Sequence, residues 1–101
     1  MPATDFNWVV APDHPAFAGH FPGRPIVPGV VLLDQAIRFA ERLLERPVAQ
    51  WQVGNAKFFS PVGPGETLVF SLEPKASGAI AFQVRAADRE VAAGSLTPAT
   101  P

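Results

Sequence analysis

Residues 30–46 run for seventeen positions without glycine or proline, and within them Leu33, Ala36, Ile37, Ala40 and Leu44 recur at steps of three and four. That spacing lines apolar side chains along one stripe of a helix, which Pro47 ends. The first turn, residues 30–33, is apolar on every side, whereas Asp34, Arg38, Glu41 and Glu45 form a polar stripe along the later turns. The helix is therefore expected to start in a core and leave toward solvent.

With one helix in 101 residues, the rest of the core falls to strands. Residues 5–11 alternate Phe6, Trp8 and Val10, residues 67–73 alternate Leu68, Phe70 and Leu72, and residues 79–87 alternate Ile80, Phe82 and Val84. Residues 51–59, with Gly54 as a bulge, and residues 90–96 complete the set. The last four strands read as an antiparallel meander, joined by a Pro/Gly turn at 61–66 and hairpin turns at 74–78 and at Asp88-Arg89. Ser71, Glu73, Gln83 and Arg85 fall on its polar side, and residues 97–101 are expected to fray. A strand, a helix and four more strands make an α+β arrangement, read as one domain over residues 1–101 with an antiparallel sheet wrapped around the helix. Such a sheet has open edges, and pairing them in a symmetric dimer covers them.

Composition narrows the function. A hydrophobic fraction of 48% with 17% charged residues supports a packed core, and a net charge of -1 provides no basic surface for nucleic acid. The absence of cysteine excludes disulfides, thiolate metal sites and a cysteine nucleophile. No basic leader or bilayer-length apolar run is present, so no membrane association and a cytoplasmic location are expected.

The chemistry is expected from the segment before the helix. Residues 13–29 carry Pro15, Pro22, Pro25 and Pro28 with Gly19, Gly23 and Gly29, too broken for helix or central strand, while Phe17, Phe21, Ile26 and Val27 anchor the loop to apolar surroundings. Within it His20 precedes a helix start at Gly29 and Val30, and Asp34 follows one turn later. Backbone N–H groups at a helix start lack internal partners and carry partial positive charge, so those of Gly29 and Val30 can hold a carbonyl oxygen that gains negative charge. Gly29 has no side chain to block the approach. A histidine suited to taking a proton near neutral pH and a carboxyl group able to help hydroxide leave then describe proton abstraction beside a thioester carbonyl, with loss of a β-hydroxyl as water.

The run from His20-Phe21-Pro22-Gly23 through Pro28-Gly29 to Asp34, fourteen residues after the histidine, resembles the hotdog-fold 3-hydroxyacyl-(acyl carrier protein) dehydratases. The similarity continues in the run Ala56-Lys57-Phe58-Phe59-Ser60-Pro61-Val62-Gly63-Pro64-Gly65-Glu66, covering about two-thirds of the chain, and the last two strands match only in pattern. The resemblance implies a hotdog fold and assigns His20 as catalytic base, Asp34 as catalytic carboxylate and Gly29 as backbone donor to the thioester carbonyl. Val30, Phe21 and Arg38 are read with them as substrate-binding. It further implies a dimer whose subunits share the site, and a substrate delivered on the phosphopantetheine arm of acyl carrier protein, with no metal or redox cofactor.

One position departs from the family pattern: the residue four after the acid, usually glutamine, is Arg38. At helical i,i+4 spacing Arg38 reaches Asp34, and a guanidinium there favours the charged carboxylate over a proton donor. Asp34 is then expected to orient a water unless Arg38 points elsewhere, and the alternatives are a non-catalytic acyl-thioester binding module or a hotdog thioesterase. His14 reads as a turn residue, Arg24 as an exposed arginine, and Trp8, Trp51 and the phenylalanines as core, with Phe58 or Phe59 lining an acyl tunnel. A polyproline ligand built on Pro22, Pro25 and Pro28 is disfavoured by the apolar residues between them.

Overall fold

The computed structural model describes residues 2–15 and 26–99. In chain order its elements are β1 (Thr4–Val9), α1 (Gly29–Leu44), β2 (Trp51–Phe58), β3 (Thr67–Pro74), β4 (Ile80–Ala86) and β5 (Arg89–Pro98). The strands form one five-stranded antiparallel sheet in the order β1-β3-β4-β5-β2, with α1 packed on one face. This is the expected α+β arrangement.

The sheet is not a meander of its last four strands. β1 occupies one side of β3, with Phe6 opposite Phe70 and Trp8 opposite Leu68, and β4 occupies the other. Both hydrogen-bonding edges of β3 are therefore taken, and β2 pairs with β5 at the far edge. The link of residues 59–66 must cross the end of the sheet past β5 and β4, a distance of about 14 Å at the usual strand spacing. Two other expectations also shift. Residues 97 and 98 do not fray, because Thr97 and Pro98 pair with Gln52 and Trp51 along β2. Ala87 takes a left-handed conformation (φ 54), which closes the β4–β5 turn at 87–88 and leaves Arg89 as the first residue of β5. Gly54 does adjoin the β2 irregularity, which runs between Gly54 and Lys57, with Asn55 as its left-handed residue (φ 52).

The helix begins one residue earlier than its periodicity indicates and stops two earlier. Glu45 is left-handed (φ 58), and the N–H groups of Glu45 and Arg46 return to the carbonyls of Arg42 and Glu41, each at 3.2 Å. Glu41 also tethers the exit, its Oε2 accepting from the Val48 N–H at 3.1 Å and from Trp51 Nε1 at 3.4 Å. The fully packed stripe of α1 is Leu32, Ala36, Phe39 and Ala40, while Leu33, Ile37 and Leu44 are half-buried. It lies on the sheet face that carries Leu68, Phe70 and Leu72 of β3 and Phe82 and Val84 of β4, all buried. Phe39 is the central contact, stacked on Phe6 at 4.7 Å and edge-on to Phe70 at 5.3 Å. Pinning the helix over β1 and β3 in this way brings its N-terminus to the end of the sheet crossed by residues 59–66.

Candidate active site

Pro28 is the N-cap of α1, in extended conformation (φ -61, ψ 146), and no side chain caps the helix. A proline there fits the start of a helix, where a missing N–H costs nothing. The Val31 N–H donates back to the Pro28 carbonyl at 3.0 Å, while Gly29 and Val30 precede any intrahelical acceptor for their own N–H groups. No acidic residue lies in the first turn, so the partial positive charge of the helix start is not offset from within the helix.

Gly29 opens onto a groove of about 550 Å³ whose walls include Val27, Pro28, Leu32, Phe58, Phe59 and Val62. The tip of the Phe58 ring leans over the glycine so closely that a β-carbon added at Gly29 would lie 2.8 Å from Cζ. Phe58 and Phe59 are not core residues: they stay 49% and 51% exposed, as the rim of the groove. Apolar walls with backbone donors at one end suit an apolar chain that carries a polar head.

Asp34 does not line this groove. Five residues from Gly29 along a helix corresponds to about 140° of rotation, and Asp34 opens instead onto a second pocket of about 570 Å³ with Trp8, His14, Val30, Val31 and Arg38. Arg38 does point at Asp34, its Nε donating to Oδ2 at 2.9 Å in an ion pair whose side chains are 68% and 61% exposed. Val30, 69% exposed, lines this second pocket and is not among the residues lining the groove. His14 is held in a turn, its N–H donating to the Ala11 carbonyl at 3.0 Å, with its ring edge-on to Trp8 at 6.2 Å. His14 and Trp8 thus meet Asp34 at one pocket, although their sequence contexts indicate only a turn and a core strand.

His20, Phe21 and Arg24 lie outside the described residues. Among the described residues there is no cluster of three or more His, Cys, Asp or Glu placed to hold a metal, and no helix is long and apolar enough to cross a membrane. The groove wall also depends on residues with no motif. Arg89 Nη2 donates to the Pro61 carbonyl at 3.1 Å and to Glu66 Oε1 at 2.8 Å, and its Nε donates to Ser60 Oγ at 3.1 Å. Glu66 is held below its ordinary range, first by the Gly63 N–H donating to Oε2 at 2.7 Å and then by Arg89, against an opposing effect of partial burial.

Residues 2–95 match the family model described as ApeI-like, ApeI dehydratase. The 3-hydroxyacyl-[acyl-carrier-protein] dehydratase FabZ of Chlamydia trachomatis serovar L2 is 36% identical, over 84% of this chain and 64% of that protein. The protein of the same name in Aliarcobacter butzleri is 37% identical, over 57% of this chain and 48% of its own. The chain thus spans about half to two-thirds of the length of these curated relatives. Among solved structures, the dehydratase heterocomplex ApeI:P from Xenorhabdus doucetiae superposes with a TM-score of 0.83 over 98% of this chain and 88% of that one, at 24% identity, a likeness that establishes the hotdog fold and nothing finer.

Proposed function

Because the chain belongs to the ApeI-like dehydratase family, we propose that it converts a 3-hydroxyacyl thioester to the trans-2-enoyl thioester and water, on substrates carried by acyl carrier protein in fatty-acid or polyene-type biosynthesis in the cytoplasm. The observation that carries this reading is the helix start at Gly29, with its uncapped N–H groups at the end of an apolar groove. In the proposed reaction the acyl chain lies against Phe58, Phe59 and Leu32, and the Gly29 N–H donates to the thioester oxygen. His20 takes the proton from the carbon beside the carbonyl, and that C–H electron pair becomes the new double bond. The carbon–oxygen bond at the β-position breaks, and the leaving hydroxide takes a proton from Asp34 or from a water that Asp34 orients.

Asp34 turns away from its own chain's groove, which supports a site shared between subunits, with Asp34 of one facing the groove of another. The open edge of β2 and the half-exposed Phe58 and Phe59 beside it support the same assembly. The second subunit is a copy of this chain in the simplest form. The Xenorhabdus structure is a heterocomplex, so native mass spectrometry of the chain alone tests whether it pairs with itself.

The Arg38–Asp34 ion pair favours one second reading, an acyl-thioester binding module whose carboxylate is engaged and no longer turns substrate over. Mass-spectrometric detection of product from a panel of 3-hydroxyacyl-carrier thioesters separates the cases. Enoyl product that disappears in His20→Ala supports the dehydratase. Tight binding without product supports the binding module, and release of free thiol identifies a thioesterase.

A further inference from the structure

We propose that His14 is a second catalytic histidine, the group that gives a proton to the leaving hydroxide; this rests on the dehydratase reading above, with the Asp34 pocket of one subunit facing the groove of another. Asp34 stands in an ion pair, its Oδ2 accepting from Arg38 Nε at 2.9 Å, and a paired carboxylate is an acceptor. Among the described residues that line its pocket, one other side chain can give up a proton near neutral pH, and that is His14. The Arg38 guanidinium keeps its protons, and Trp8, Val30 and Val31 do not titrate.

The imidazole is held there from the core outward. Val10, directly after β1, is fully buried; its N–H donates to the Glu66 carbonyl at 2.9 Å and its carbonyl accepts the Gly65 N–H at 2.8 Å. From that anchor the chain turns over residues 11–14, closed by the His14 N–H on the Ala11 carbonyl, with Pro12 and Pro15 restricting the backbone on either side. The half-buried ring lies edge-on to Trp8, and Trp8 in turn lies edge-on to the buried Phe70 at 6.1 Å. The turn closes through backbone atoms and asks nothing of the imidazole, so the ring's place at the pocket is a separate feature. A fixed histidine and a fixed carboxylate at one pocket provide a proton donor and an acceptor for a single hydroxyl group.

In the proposed step the β-hydroxyl of the substrate in the facing groove donates its hydrogen bond to the Asp34 carboxylate, and its oxygen accepts one from the protonated His14 ring. His20 takes the proton beside the carbonyl, and the C–H electron pair becomes the double bond. The carbon–oxygen bond breaks with its electron pair on oxygen, and the His14 proton joins that oxygen to complete water. Asp34 stays ionised throughout, His14 is left neutral and His20 protonated, and exchange with solvent restores both.

The test compares single-turnover rates of the full chain, His14→Gln and His14→Phe on a 3-hydroxyacyl thioester and on its 3-fluoroacyl counterpart, whose fluoride leaves without needing a proton. His14→Phe keeps an aromatic ring against Trp8, and urea unfolding confirms that each variant folds. Both variants are expected to lose about 100-fold on the hydroxyl substrate while staying within about threefold of the parent on the fluoride. Equal losses on the two substrates, as a merely structural role would give, overturn the proposal, and so does an unchanged rate on the hydroxyl substrate. Sensitivity to the leaving group that appears in Asp34→Asn but in neither His14 variant also overturns it and makes Asp34 the donor. Should the unaltered chain form no enoyl product from either substrate, the dehydratase reading fails and the role of His14 falls with it, an outcome distinct from the others because the parent itself is inactive.

Discussion

The ring of Phe58 and the backbone of Gly29 meet so closely at the helix start that a β-carbon on Gly29 would lie 2.8 Å from Cζ and 3.0 Å from Cε1 of the ring. Gly29 is not in a left-handed conformation, since the glycines with positive φ are Gly65 and Gly78 among the described residues. The nearest obstacle to a side chain at position 29 is thus the Phe58 ring, not the backbone conformation. Gly29→Ala should fold, because the half-exposed ring can swing out and alanine favours the helix, leaving stability within about 1 kcal/mol of the parent. It should lower kcat/KM about tenfold by displacing the groove wall from the N–H donors. Steady-state kinetics beside urea unfolding check both, and in a Phe58→Leu background the kinetic penalty should shrink.

Asp34 and Arg38 form a pair too exposed to matter greatly for folding, so Arg38→Gln is expected to change unfolding free energy by less than about 1 kcal/mol. Releasing Asp34 should raise turnover a few-fold. Asp34→Asn, by contrast, should reduce kcat by about 100-fold, the usual scale for a positioned proton-transfer group. Product formation followed by mass spectrometry measures the two in parallel, and equal activities would remove Asp34 from the proposed site.

Phe39 joins helix to sheet through Phe6 and Phe70, with the Arg42 guanidinium over its ring at 5.6 Å. Truncation to alanine removes a buried ring and both aromatic contacts, for an expected loss of about 3–5 kcal/mol. Against a typical total of about 5–15 kcal/mol, the urea midpoint should fall sharply.

Glu66 provides a pH dependence that stability measurements can read. Its folded value lies below the ordinary 4.5 because the Gly63 N–H and then Arg89 favour the carboxylate. The ionised group therefore stabilises the folded chain above that pH, and the contribution is lost as pH falls through the lower folded value. Glu66→Gln should melt at a lower temperature than the parent near neutrality. The gap should narrow as the buffer is taken from about pH 6 toward about pH 3, and a gap constant across that range would show that the carboxylate charge is not what matters.

Some of the site is legible in the chain because its parts are neighbours in sequence. The Asp34–Arg38 contact follows from one helical turn, and the passage from Pro28 to Gly29 marks a helix start without reference to any other element. The groove wall is different. Ser60 and Arg89 are separated by 29 positions, and their contact exists because the turn at 87–88 places Arg89 at the start of β5, facing the link. No local pattern distinguishes that arginine from others on exposed strands. Phe58 reads as core or as tunnel lining, and it stands at the half-exposed rim of the groove, on the strand at the edge of the sheet.

By itself the sequence determined the kinds of element present and their order, since alternation at two and recurrence at three to four arise from the geometry of a strand and a helix alone. The loop-helix motif also determined the family, because its residues are contiguous. The tertiary structure alone decided which edge β2 would join, whether residues 97 and 98 would be ordered, and what would stand around Gly29. The physical reason is that strand pairing is a competition for backbone edges between segments distant in the chain. β1 and β4 occupy both edges of β3, so β2 must go to β5, the link must cross the end of the sheet, and the groove forms where it passes the helix start.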